Sequence, residues 1–495
     1  MALVHRFVPQ CYRDSVSLMQ LSRRLAALPG IAQASVLLAT AGNLALLREA
    51  GILADPPAPR PDDLLVVLAG EGDLESLVDQ AERELRAPAG IADLAGPADV
   101  PAAPPSVLEA VKADPTLDFA LISVPGDYAA GEALKALARG LDVMLFSDNV
   151  SIEQEVFLKD QAARRGRLLL GPDCGSAILD GTPLGFANQV RPGPVGVVSA
   201  SGTGLQEVTS LLDRWGSGIS QAYGTGGRDL KEAVGGRSAL ACIDRLAKDP
   251  GTRCLLFVSK PPAPAIRDRL AARFRMLAIP TVACFLGEGK TLEQAARDAF
   301  RLVEGAAPRE ERLPEPRVLP ERNYRSSGYL RGLYSGGTLC AEAAWLSARS
   351  GAETFSNVQA PGVLPLEDAW RSQGHCFIDL GEDEFTRGRP HPMLDPSLRL
   401  ARLAEEAARP DTQLILADVV LGHGAHPDPA AALAQAVAAL IPDADGLLPE
   451  VWACVTGTEG DPQVFSTSVE TLTRAGIRCF GSNASLVAAA LGRLQ

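Results

Sequence analysis

Pro194-Val-Gly-Val-Val-Ser-Ala-Ser-Gly-Thr-Gly-Leu-Gln-Glu-Val208 runs through an amphipathic segment into Tyr223-Gly-Thr-Gly-Gly-Arg-Asp-Leu230. Val195 to Val198 is a short apolar run that suits a buried parallel strand. Ser199 to Gly204 supplies small residues that let the backbone approach a ligand. A helix from Leu205 to about Trp215 starts there, with free N–H groups and the positive end of its dipole at the turn. Gly224 to Asp229 adds a second glycine bend and a fixed charge, Arg228. A lone glycine turn between strand and helix is ordinary in α/β proteins. Two in one βαβ unit, one carrying arginine, favour an anion site, for phosphate or an acyl phosphate.

Outward from this stretch the pattern is that of an α/β protein. Strands alternate with helices from Phe119 onward, which predicts a parallel, doubly wound sheet with ligands beyond the carboxyl ends of its strands. The polar tips Pro125-Gly-Asp127, Ser147-Asp-Asn149 and Gly171-Pro-Asp-Cys174 fall at such ends; each alone reads as a turn or cap, and three in succession as a shared cleft. Residues 87–105 are rich in Ala and Pro and read as a surface loop. The polar, proline-containing stretch 308–325 reads as a linker.

Beyond the linker the opening pattern returns. Tyr329-Leu-Arg-Gly-Leu-Tyr-Ser-Gly-Gly-Thr-Leu-Cys-Ala-Glu-Ala343 repeats the strand, the Gly/Thr turn and a helix start carrying Glu. Asp249 to Ser259 matches Arg409 to Val419, and Thr281 to Gly287 matches Val451 to Gly457. Three matches in one order predict two homologous lobes, 190–307 and 326–495. The second lobe carries Arg387, Arg389 and His391 on one loop, fit to clamp a carboxylate or phosphate. His423 and His426 lie on a proline-fixed loop; a metal with Asp428, polar ligand contact and plain loop structure all remain open, and no metal is assigned.

Composition narrows the class. The 495 residues carry a net charge of −13 and 46% hydrophobic residues, so general binding to nucleic acid or anionic membranes is disfavoured. Nine scattered cysteines without a CxxC pair read as reduced and mostly buried. No apolar run approaches a membrane span, and a cytoplasmic protein is expected.

Gly171-Pro-Asp-Cys-Gly175, Pro183-Leu-Gly-Phe-Ala-Asn188, Ser201-Gly-Thr-Gly-Leu-Gln-Glu-Val208, Gly224-Thr-Gly-Gly-Arg-Asp-Leu230, Val258-Ser-Lys-Pro-Pro262, Gly388-Arg-Pro-His-Pro-Met393 and Val455-Thr-Gly-Thr-Glu-Gly-Asp-Pro-Gln463 closely resemble the FdrA family, which is similar to the succinyl-CoA synthetase superfamily. The resemblance covers essentially the whole chain. It implies an α/β architecture: a Rossmann-like CoA-binding-type domain over 1–190, then two flavodoxin-like ligase-type domains over 190–307 and 326–495. The synthetases pass phosphate through a histidine after the strand matching Thr281–Leu286. Here the sequence is Gly287-Glu-Gly-Lys290, and no histidine lies between His5 and His375. The first βα turn, Cys11-Tyr-Arg-Asp-Ser15, lacks the glycines that would hold the phosphates of CoA, so CoA is disfavoured.

The resemblance implies a subunit of a carbamoyltransferase that forms carbamoyl phosphate from phosphate and a ureido acid such as oxalurate. Other carbamoyltransferase subunits are the implied partners, and a homodimer is a further arrangement. The alternatives are a divergent NDP-forming acyl-CoA synthetase subunit and a non-catalytic scaffold. By motif, Thr203, Arg228, Arg389 and His391 are assigned to catalysis. Phosphate falls to Ser201, Gly202, Thr203, Gly204, Gly226, Gly227, Gly336, Gly337 and Thr338. Substrate contact falls to Asn149, Asp173, Cys174, Lys260, Arg387, His423 and Thr456.

Overall fold

A computed structural model describes residues 2–9, 11, 13, 15–26, 28–39, 44, 63–86, 104–386 and 390–494. The chain divides into two compact units, and Met1–Thr116 makes up most of the first. In that unit β1 (Ala2–Val8), β2 (Ile31–Leu38) and β3 (Leu64–Gly70) form an antiparallel sheet of order β1-β3-β2. Helices α1 (Ser15–Ala26) and α2 (Leu74–Arg86) supply Leu18, Leu21, Leu25, Val78, Ala81 and Leu85 to its core. A short helix, α3 (Val107–Ala113), follows. The expected loop 87–105 lies outside the described residues up to 103.

The second unit opens with β4 (Phe119–Ile122), β5 (Asp142–Leu145) and β6 (Leu169–Leu170), a parallel sheet whose crossovers are α4 (Gly126–Ala138) and α5 (Ile152–Arg164). The stretch read as one Rossmann-like domain, 1–190, therefore spans two sheets of different kind and, over 176–185, the edge hairpin of a third. The first is antiparallel because β3 pairs on both edges with strands running against it. Apolar strand runs alone do not reveal pairing direction.

The first lobe contains the hairpin β7 (Ser176–Leu179) and β8 (Thr182–Gly185), then β9 (Pro192–Ser199), α6 (Gly202–Arg214), β10 (Ile219–Gly224), α7 (Arg237–Leu246), β11 (Cys254–Ser259), α8 (Pro264–Arg275), β12 (Thr281–Phe285) and α9 (Leu292–Glu304). Its sheet order is β12-β11-β9-β10-β7-β8, with parallel pairing from β10 to β12 in flavodoxin-like order. The linker 308–325 is irregular until β13 (Asn323–Tyr324), which pairs with β19 (Leu447–Leu448).

In the second lobe β14 (Tyr329–Tyr334) leads into α10 (Gly337–Arg349), β15 (Thr354–Ser356), β16 (Leu364–Pro365) and β17 (His375–Asp379). The short α11 (Asp383–Thr386) and α12 (Ser397–Ala408) precede β18 (Thr412–Val420) and α13 (Pro429–Ala438). β20 (Glu450–Thr456), α14 (Phe465–Arg474), β21 (Arg478–Phe480) and α15 (Asn483–Leu494) close the chain. The sheet order is β16-β15-β17-β14-β18-β20-β21, all parallel. β9 and β14 are thus the central strands of matching sheets, with β11 and β18 as matching neighbours. The lobes share one hydrophobic core. Val197, Leu205, Ala295 and Ala299 of the first lobe pack with Leu339, Ala343, Leu486 and Ala490 of the second. The small alanines on α9, α10 and α15 let these helices lie close enough to exclude water from the seam.

Candidate functional site

The β9–α6 turn is built around Ser201. Its Oγ accepts the Gly204 N–H at 2.9 Å and so caps α6. Ser199 Oγ accepts the Ser201 N–H at 3.1 Å. Beside this turn lies a cavity of about 20 Å³, room for one water-sized group, walled by Asp173 to Ser176, Ser199 to Gly202, Gly224, Gly226 and Gly227. The opening stretch and the Gly171-Pro-Asp-Cys tip meet here. Gly226 has φ of +82°, and a side chain there would collide with the Pro172 carbonyl.

The β14–α10 turn is built differently. Asp418, at the end of β18, accepts the N–H groups of Ser335 and Gly336 at 2.9 Å each, and Arg399 pairs with the same carboxylate at 2.6 Å. The helix cap, Gly336, contributes no side-chain bond.

The two helix starts touch. Ser201 Oγ is hydrogen-bonded to Thr338 Oγ1. A Cβ on Gly336 would lie 2.7 Å from Thr203 Cγ2, and one on Gly204 would lie 3.2 Å from Thr338 Cγ2. Only glycine lets the N-termini of α6 and α10 come this close, and both positive dipole ends point into one region.

Behind them is a buried polar network. Glu207 of α6 accepts the Asn483 N–H at the start of α15 and the Thr456 hydroxyl at 2.5 Å. Glu342 of α10 accepts the Leu292 N–H at the start of α9 and a proton of the Asn483 amide. Each lobe's glutamate thus caps a helix of the other lobe. Burial pushes Glu342 up to about 7 and raises Glu207 as well.

Of the residues assigned from sequence, Ser201, Gly202, Gly226, Gly227, Asp173 and Cys174 line the cavity. Asp173 sits exposed on the rim, yet the protein around its carboxyl, with Asp148 close by, pushes it up to about 6. Cys174 is no nucleophile, since burial pushes its thiol up to about 12 and it donates to the Gly224 carbonyl. Thr203, Gly204, Gly336, Gly337 and Thr338 form the contact between the helix starts. Arg228 departs from its assigned role as an anion clamp. Its Nη2 donates to the Val150 carbonyl at 2.8 Å and pairs with Glu155 at 3.0 Å, because α5 presents that carboxylate unpaired on one oxygen. Thr456 is likewise buried and held by Glu207 rather than open to substrate.

Asn149 is exposed at φ +54°, away from the cavity lining. His423 is exposed too, and its backbone N–H donates to the Ala187 carbonyl at 2.8 Å. Lys260 is exposed at the end of β11 and faces Asp379 of the second lobe. His391 lies beside Phe186, with ring centroids 6.2 Å apart, and its Nδ1 accepts the Met393 N–H at 3.2 Å. Burial and Arg399 push it down to about 4, so the ring is neutral at pH 7. Arg387 and Arg389 lie outside the described residues.

Sequence reasoning missed Asp379, Asp418, Glu207 and Glu342. The two glutamates left a signal, since each falls five residues after the first residue of its helix. Asp418 left a weaker one, a lone carboxylate inside an apolar strand, which demands a partner. The turn after β12, Gly287-Glu-Gly-Lys290, carries no histidine and is tightly packed. Gly287 has φ of +84°, and a Cβ there would lie 2.6 Å from the Pro361 ring of the second lobe.

Comparison with known proteins now places the chain. A protein of Escherichia coli (strain K12), described as "Uncharacterized protein YahF", is 39% identical over 95% of this chain and 94% of its own length. The chain belongs to the YahF family. Residues 333–492 of this family member match a profile described as "CoA-ligase", and residues 1–96 match "AllF, heavy metal-associated domain". The alpha subunit of the ADP-forming succinate–CoA ligase of Aquifex aeolicus (strain VF5) is 30% identical over 31% of this chain and 51% of that one. The chain thus spans about half the length of that relative. A solved dinucleotide-forming acetyl-coenzyme A synthetase 1 from Ca. Korarchaeum cryptofilum aligns at 17% identity and a TM-score of 0.29, over 76% of this chain and 84% of that one. By its family match, the stretch 333–492 is a CoA-ligase domain of the succinyl-CoA synthetase-like kind. The expected carbamoyltransferase activity is corrected by these findings, because the relatives named for an activity are acid–thiol ligases.

Two groups implied by these relatives can be tested against the residues present. A heavy metal needs paired soft ligands. Cys11 is the only cysteine in residues 1–96, and its buried thiol donates to the Leu85 carbonyl at 3.2 Å. Among the described residues no group of three or more His, Cys, Asp or Glu could hold a metal, so the described residues do not fit one. Coenzyme A needs donors for its phosphates. At the small parallel sheet the strand tips carry Asp148 and Asp173, and a Cβ on Gly126 at the start of α4 would collide with the Asp148 carbonyl. The described residues of that sheet do not fit those phosphates. No helix among the described residues is long and apolar enough to cross a membrane.

Proposed function

We propose that this chain is a subunit of an acid–thiol ligase-type enzyme and that its own share of the chemistry is to hold phosphate, free or as an acyl phosphate, where α6 and α10 meet. The observation that carries this reading is the contact of two helix N-termini through Ser201 and Thr338. Two sets of first-turn N–H groups and two dipole ends converge there, which favours an anion whose charge is spread over several oxygens. Thr203, with its hydroxyl against Gly336, adds a donor from the first lobe. The motif resemblance to the FdrA family is kept as a finer assignment within the superfamily. With no histidine between His5 and His375, the phosphate is held without a phosphohistidine in that stretch. The relatives' designation as subunits supports a partner chain that completes the small-molecule reaction.

Titration calorimetry tests this reading. Inorganic phosphate and acetyl phosphate should both bind the purified chain, and Thr203→Val should weaken each by about tenfold. If neither anion binds the chain alone or with its co-purifying partner, the site is a structural seam and the chain a scaffold.

A further inference from the structure

A cavity of about 580 Å³ lies where the linker crosses both lobes, and residues 310–315 form one of its walls. The first lobe supplies Leu211 and Trp215 from α6 and Glu293 and Arg297 from α9. The second supplies Arg478 and Phe480 from β21, with Ser482 and Ser485 at the start of α15. Trp215 caps the C-terminal end of α6, so the cavity stands about 20 Å along that helix from the Ser201 turn. It is separate from the phosphate site and does not depend on that reading. Its volume is that of pockets which enclose small organic molecules.

Most charges on the wall are already paired. Glu293 accepts the Ser482 and Ser485 hydroxyls at 2.6 and 2.9 Å and pairs with Arg297 at 2.7 Å. Glu311 is held by Arg214 at 3.0 Å, and Glu315 by Arg478 at 2.8 Å. Two charges of opposite sign remain. Among the described residues Glu310 and Arg312 have neither a hydrogen-bond nor an ion-pair partner, and both border the cavity. The apolar part of the wall is Leu211 with the half-buried rings of Trp215 and Phe480. Those rings are fixed by their neighbours. The Arg297 guanidinium lies 5.0 Å from the Trp215 ring centroid, and Trp452 lies 5.6 Å from Phe480, centroid to centroid.

A ligand that fits this wall brings one negative group, one positive group and an apolar body. A simple anion would face Glu310 without compensation, and a simple cation would face Arg312. We infer that the cavity is a binding site for an aromatic α-amino acid in its zwitterionic form. Its carboxylate meets the Arg312 guanidinium, which can give it two parallel N–H donors. Its ammonium meets the Glu310 carboxylate, and its ring packs against Trp215 and Phe480. The ring carries the larger share of the affinity, because ion pairs made by exposed side chains contribute little. Binding involves no covalent step. Since the wall is drawn from the linker and both lobes, an occupied cavity fastens the linker to each of them.

Calorimetry on the full chain tests it. L-Phenylalanine should bind with a Kd of about 1 mM or tighter. Phenylpropionate lacks the ammonium, phenethylamine the carboxylate and alanine the ring, and each should bind about tenfold more weakly. Glu310→Gln should bring phenylalanine and phenylpropionate within about threefold of each other, and Arg312→Gln should do the same for phenylalanine and phenethylamine. Neither side chain has a partner to lose, so both variants should keep the thermal stability of the unaltered chain. Phenylpropionate or phenethylamine binding the unaltered chain as tightly as phenylalanine would overturn the inference. So would phenylalanine giving no binding at about 10 mM. These two comparisons need no substitution, so a poorly folding variant does not obscure them.

Discussion

The two strand–turn–helix units share a plan and differ in what occupies the turn. In the first lobe Ser201 caps α6 with its own hydroxyl, and a small cavity opens beside the turn. In the second the turn's N–H groups are bound by Asp418, itself held by Arg399. One turn is therefore open to a ligand on the β9 side, and the other is fastened from within. Duplication copied the geometry of the helix start without copying its electrostatics. What the second lobe offers a ligand is the first turn of α10, beyond the fastened segment.

The largest effect should come from breaking the fastening. Asp418→Ala takes the carboxylate from the buried Arg399, leaving it only the backbone carbonyl of residue 418, and strips two N–H groups of their acceptor, at a cost of about 3–5 kcal/mol. Denaturant unfolding should show it; a loss below about 1 kcal/mol would mean that both turns are equally self-sufficient. Next is the inter-lobe carboxyl Glu342. Its pKa is raised by folding from 4.5 to about 7, so the folded state binds the proton more tightly than the unfolded state. Its contribution to stability is therefore greatest below pH 4.5 and declines as pH rises to 7. Glu342→Gln should flatten the pH dependence of the unfolding free energy over that window by on the order of 2 kcal/mol. An unchanged slope would place the titration elsewhere. The smallest effect is expected at the open turn, where Ser201→Ala removes a helix cap worth about 1 kcal/mol. Thermal unfolding measures it, and a loss matching that of Asp418→Ala would erase the contrast between the lobes.

Much of this arrangement was legible in the chain. The apolar runs at 195–198 and 254–258 and their counterparts marked the central strands of both lobes, because a strand buried on both faces leaves no polar alternation, and the run at 281–286 marked an edge strand. The glycines of the two turns marked close backbone approach. The first 190 residues were read less well, since β1, β2 and β3 have the same apolar composition that parallel strands would have. Side-chain partnerships were largely hidden. Arg228 looked free to clamp an anion, and nothing near it in sequence announces Glu155. Thr456 looked like a strand-end contact, yet Glu207 lies 249 positions away.

The sequence by itself determined the α/β class, the internal repeat and the places where only glycine allows backbones to meet, because periodicity and the absence of a side chain act locally. Tertiary structure alone decided which turn stays open, that Glu207 and Glu342 cap helices across the lobes, and that Asp379 is buried against the first turn of α10. Those outcomes depend on which charges are brought together and desolvated, and burial of a charge is a property of the assembled fold rather than of any one segment.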